Sequence, residues 1–194
     1  MASPFASFLA AARATNTARV PFFANDLQVL NYALTLEHLE NEFYKQVNAS
    51  GRLQGNAAAY LRIIGQHEQT HVDTLTSAIQ QAGGTPVRAR RSYNFAALGD
   101  LSSQQGILTV ALALEATGVG AYNGAGREIQ SDAILAAAGS IVAVEARHTA
   151  AVKALLDPNG DPVDPAGNPP DAFEQVLDPQ TVLNTVTPIL GPEA

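Results

Sequence analysis

The stretch HEQTH at residues 67–71 admits two metal sites on the same turn of helix. In one, His67 and His71 grip a zinc ion and Glu68 activates water, as in metallohydrolases. In the other, Glu68 and His71, three residues apart and therefore on one helix face, are themselves the ligands. A second Glu-x-x-His, Glu145 and His148 in VEARH, has Val144 where a second HExxH would need histidine. Two further glutamates, Glu37 and Glu115, are each followed seven residues later by a tyrosine, Tyr44 and Tyr122. The spacing repeats, with 31 residues from Glu37 to Glu68 and 30 from Glu115 to Glu145.

These residues interrupt apolar stripes. At three- and four-residue steps one series reads Leu61, Ile64, Glu68, His71, Leu75, Ala78, and another Ile134, Ala138, Ile141, Glu145, His148, Val152, Leu155. Leu30, Ala33, Glu37, Asn41, Tyr44 and Leu108, Ala111, Glu115, Gly118, Tyr122 form two more. Such periodicity predicts four helices with the polar groups facing the core. The first covers residues 25–49, capped by Asn25 or Asp26, with Gly51 beyond its end. The second runs from about 56 to the Gly83-Gly84-Thr85-Pro86 punctuation. The third runs from Ser102 or Ser103 to about 129, and the fourth from its cap Ser131 to just before Asp157-Pro158. Residues between the second and third, VRARRSYNFAALGD, lack helical periodicity. Two helix pairs joined by one long link describe an all-α four-helix bundle with a single crossover.

An ionised carboxylate on a core face costs several kcal/mol if unpaired, and four that converge also repel one another. Two divalent cations would balance four glutamates and leave both imidazoles neutral. Carboxylate oxygen with imidazole suits iron or manganese, and zinc less selectively. The zinc-hydrolase alternative needs a third ligand and explains none of the other three stripe carboxylates. His67 lies about 100° around the helix from Glu68; it hydrogen-bonds to a ligand or meets solvent. Glu40, three residues after Glu37, is an alternate ligand, and His38 and Glu42 belong to the surface. Tyr44 and Tyr122 are hydrogen-bond donors to the carboxylates or packed tyrosines. Gly118, Gly120 and Gly124 permit close helix packing, or a pocket above Glu115.

LEHLENEFY with GQHEQTH, and LEATGVGAY with VEARH, resemble the ferritin-like dimetal carboxylate superfamily. YALTLEHLENEFY, the AGGTP turn and DAFEQVLDPQTVLNTVTPIL resemble its desiccation- or stress-related members. The resemblance covers about residues 24–190. It implies metal ligands at Glu37, Glu68, His71, Glu115, Glu145 and His148, with Glu68 and Glu145 bridging two ions. It also implies redox chemistry toward O2 or peroxide, as a peroxidase-, catalase- or ferroxidase-like oxidoreductase serving stress protection. A non-enzymatic protein that sequesters metal, or is stapled by it, is the other reading.

Composition agrees with this class. Hydrophobic residues make up 46% and aromatics 6% of the 194-residue chain, with no tryptophan and no cysteine. Disulfides, thiolate nucleophiles and a rubredoxin-type Cys-ligated iron are thereby excluded. The net charge of −7 argues against nucleic-acid or anionic-membrane partners, and Arg88, Arg90 and Arg91 read as a solvated loop. Residues 1–23 form an N-terminal arm without the leading positive cluster of a secretory signal, which leaves export in a longer precursor open. Residues 24–157 form the bundle. The Pro-rich 158–194 segment is a strap of one or two short helices, its apolar contacts being Phe173, Val176, Leu177, Val182, Leu183, Val186, Ile189 and Leu190. A homodimer is expected rather than a cage.

Overall fold

Side-chain caps mark where the helices begin. In the computed structural model, which describes residues 21–157 and 174–192, Asn25 accepts from the Gln28 amide and opens α1 (Asp26–Ala49). Ser103 and Ser131 do the same for α3 (Gln104–Gly126) and α4 (Asp132–Leu156). Asp178 caps a short α5 (Pro179–Val186), with proline in its first turn. Among the described α-helices, only α2 (Gly55–Gln81) starts without a side-chain cap. Asp26, the other candidate cap of α1, accepts instead from the Gln130 and Ser131 amides at 2.8 and 2.9 Å, tying the start of α1 to the α3–α4 turn. That turn is tight enough to end α3 at Gly126, three residues before the position expected from periodicity. The Glu128 and Ile129 amides close onto Ala125 and Gly126 in i,i+3 bonds instead of continuing the helix. Gly51 and Gly83, with φ of 71° and 77°, take the left-handed conformation beyond α1 and α2 that a side chain would disfavour.

The result is the expected all-helical bundle. Helix α1 packs along α2 and α3 along α4, each pair joined by a short turn, and contacts α1–α3 and α2–α4 unite the pairs. The crossover from α2 to α3 contains one 3-10 turn, Phe95–Ala97, and the buried Phe95 ring meets Phe43 edge-on at 5.3 Å. Arg88 and Arg91 in this link are exposed.

Past residue 173 the chain straps onto the bundle. The Leu177 amide donates to the Gly120 carbonyl at 3.0 Å, Val182, Val186 and Ile189 are buried, and Tyr93 and Leu190 form an isolated antiparallel bridge. A Cβ on Gly120 would stand 2.7 Å from the Leu177 side chain, and one on Gly124 would stand 1.6 Å from the Leu177 carbonyl oxygen. These two glycines make room for the strap, not for a neighbouring helix. Val176, expected among the strap's apolar contacts, is 55% exposed, because the chain turns its neighbour Leu177 inward. Phe173 and most of the N-terminal arm lie outside the described residues. Of that arm, Phe23 packs on Tyr32 with ring centroids 5.1 Å apart.

Candidate metal centre

The stripes deliver their polar residues to one buried volume. Glu37 from α1, Glu68 from α2, Glu115 from α3 and Glu145 from α4 are each 0% exposed, and His71 and His148 are buried beside them. Ligand atoms of Glu37, Glu68, His71 and Glu145 lie within 4.8 Å of one another, as do those of Glu68, Glu115, Glu145 and His148. Glu68 and Glu145 belong to both groups. His71 Nδ1 is 3.2 Å from Glu37 Oε2, 3.2 Å from Glu68 Oε2 and 3.1 Å from Glu145 Oε1. His148 Nδ1 is 3.0 Å from Glu68 Oε1 and 3.2 Å from Glu115 Oε2.

One ring nitrogen carries at most one proton, so it cannot hydrogen-bond to three carboxylates at once. Glu68 Oε1 and both oxygens of Glu145 are buried without any directed hydrogen bond, despite their nearness to the imidazoles. Lone pairs aimed at a shared space, with too few protons to fill it, are what a cation site requires. The donor set of carboxylate oxygens and imidazole nitrogens fits a divalent ion.

The tyrosines hold the outer carboxylates crosswise. The Tyr44 hydroxyl of α1 donates to Glu115 Oε1 of α3, and the Tyr122 hydroxyl of α3 donates to Glu37 Oε1 of α1 at 2.5 Å. Both are hydrogen-bond donors to the carboxylates, the first of the two roles the sequence left open.

Without a cation the cluster compensates internally. Burial pushes Glu37 up to about 7, although His71 beside it works the other way. Glu115 and Glu145 are also raised by burial and by the neighbouring carboxylates. Burial acts on Glu68 in the same sense, yet the imidazoles of His148 and His71 beside its carboxylate prevail and hold it down at about 2. Against the desolvation that would lower them, the surrounding carboxylates lift His71 to about 12 and His148 to about 10.

Two residues acquire places that their spacing did not determine. Glu40 is 3% exposed and points at the same volume: a Cβ on Gly118 would be 3.1 Å from Glu40 Oε1 and 3.4 Å from Glu145 Oε2. Gly118 is therefore the gap in α3 that accommodates a fifth carboxylate. Burial, then the charges of Glu145, Glu115, Glu68 and Glu37, raise the pKa of Glu40 well above the ordinary value. The i+3 relation to Glu37 was the only sequence signal for it. His67 belongs to neither group of four; its Nδ1 is 2.9 Å from His148 Nε2, across from α2 to α4, with the rings nearly parallel. On the HEQTH turn, then, Glu68 and His71 face the cluster. Glu42 and His38 are both partly exposed; Glu42 accepts from Gln46, and the His38 ring lies 3.2 Å from the Val87 carbonyl.

The model of the ferritin-like domain matches residues 25–158, most of the chain. No curated protein matches it. None of the described helices is long and apolar enough to cross a membrane.

Proposed function

The chain belongs to the ferritin-like domain family, and we propose that its buried Glu/His cluster holds two divalent metal ions, iron or manganese, for redox chemistry with O2 or peroxide. One observation carries the reading: two four-residue groups, each with three carboxylates and one imidazole, overlap through Glu68 and Glu145. In such an arrangement Glu37 and His71 would hold one ion and Glu115 and His148 the other, with the shared Glu68 and Glu145 available to both. Four glutamates balance two divalent charges, which removes the cost of leaving them buried and uncompensated.

When bound, a pair of such ions supplies a reversible store of electrons for reducing peroxide or O2. The protein's part is to position and to insulate. Tyr44 and Tyr122 fix the outer carboxylates, His67 fixes one imidazole, and Glu40 stands as a spare carboxylate on the α1–α3 side. A stress-protective role in desiccation or oxidative challenge follows from peroxide consumption. No zinc-hydrolase site is proposed, since His67 is turned toward His148. The test is turnover: protein loaded with Fe(II) or Mn(II) should disproportionate peroxide, or reduce peroxide or O2 at the expense of an added electron donor, with multiple turnovers per chain, and Glu68→Ala should abolish it. Stable loading of two ions with no turnover would instead leave a metal-sequestering protein.

A further inference from the structure

Beside the carboxylate cluster, the α1–α2–α3–α4 core contains a cavity of about 200 Å³. Its wall is almost wholly apolar and includes Leu30, Ala33, Leu75, Ala138 and Ile141. Tyr122, whose hydroxyl donates to Glu37, closes the side toward the cluster. The exposed Thr74 and Ala137 line it on α2 and α4, opening it toward solvent between those two helices.

The internal repeat shows how the space arises. Superposing Glu115 on Glu37 and Glu145 on Glu68 relates this end of the bundle to the opposite one. There, Leu61 and Val47 are buried in the core where this end has Ala138 and Ala125, and Leu155 stands where this end has Ala78. The reverse exchange, Ile134 for Ala57, does not close the space. Shortened side chains at equivalent core positions open one end of a repeated bundle and leave the other filled.

We infer that this cavity is a binding site for a small uncharged apolar molecule, seated against Tyr122 next to the carboxylate centre. A void of about 150 Å³ lined by aliphatic side chains stays dry and takes up benzene, so this one has room for a single aromatic ring or roughly six to eight alkyl carbons. Water finds few polar partners on this wall, and a charged ligand finds no counter-charge on it. The binding claim stands on the cavity alone. Its service to the metal centre, as a seat for a substrate or product, rests on the function proposed above.

Benzene is the probe. Titrated into metal-free protein, it should shift NMR resonances of Ala33, Ala138 and Ile141 saturably, and it should raise the melting temperature of metal-free and Mn(II)-loaded protein alike. Ala138→Leu, which restores the residue of the opposite end, should weaken benzene binding by at least about tenfold, and so should the smaller change Ala125→Val. Metal content per chain, measured on the same samples, should stay at the wild-type value in both variants. Absence of saturable shifts in the wild type, or binding unchanged in both variants, would overturn the assignment. Failure to load metal while benzene still binds would instead count against the proposed function and leave the cavity site standing.

Discussion

At the scale of single residues, the centre is a problem of uncompensated charge. Two imidazoles serve four to five carboxylates, and the protons they hold at neutral pH are the ones that metal must displace. Because His71 and His148 are raised to about 12 and 10, both are charged at neutral pH in the metal-free protein. Glu37, raised to about 7 by burial, still holds part of its proton there. All three must deprotonate to ligate, so affinity is predicted to rise as pH climbs through about 7, with release of about two or more protons per chain. Calorimetry in buffers of different ionisation enthalpy measures that release; uptake of protons, or none, would contradict it. Substituting a shared carboxylate, Glu68→Ala or Glu145→Ala, should weaken loading by more than the roughly 10–100-fold that loss of an outer partner costs, while Glu42→Ala should leave loading unchanged in the same titration. His67 makes the two halves unequal. It orients His148, whereas the related position near the other Glu-x-x-His is Val144, which offers no hydrogen bond. His67→Ala is predicted to weaken one of two ions by about 10–100-fold and spare the other, giving a biphasic isotherm where equal loss from both would refute the assignment.

At the scale of elements, glycines separate into those that make room and those that do not. Gly124 lets the strap backbone touch α3, so Gly124→Ala should destabilise by about 1–3 kcal/mol through overpacking. The loosened segment around Leu177 should then become protease-sensitive. Gly139, in the exposed part of α4 with open space around its Cβ position, should behave oppositely. Gly139→Ala is predicted to stabilise by about 0.5–1 kcal/mol through helix propensity. Denaturant melts of both variants check the pair. The caps Asn25 and Ser103, each to within one residue, the cap Ser131 and the stops Gly51 and Gly83 were legible in sequence because each acts within one turn of the chain. The early end of α3 was not, since it depends on Asp26 taking the Gln130 and Ser131 amides from more than a hundred residues away. The roles of Gly118 and Gly120 were hidden for the same reason: what occupies the missing Cβ, Glu40 or Leu177, comes from another element.

At the scale of the whole molecule, the repeated Glu, Glu-x-x-His pattern, interrupting stripes of constant period, sufficed to place six polar residues in one core. A helix face is fixed by its own sequence, and four faces have one common interior. The crosswise pairing of Tyr44 with Glu115 and Tyr122 with Glu37, and the turn of His67 toward His148, required the helices' mutual positions. So did the cavity at one end. A cavity of about 200 Å³ lined by shortened side chains forgoes packing that the opposite end keeps, a sacrifice that neither helix pair reveals alone. Metal removal acts on the whole fold as well: ions that bind only the native state add to its stability, so chelation should lower the melting temperature, and Glu68→Ala should abolish that difference. The most direct measurement is elemental analysis of protein purified without added metal, joined to anomalous diffraction at the iron and manganese edges. The account predicts two ions per chain of iron or manganese, one beside His71 and one beside His148, with Glu68 and Glu145 reaching both. A single zinc held through His67, or density for metal only at the surface, would contradict it.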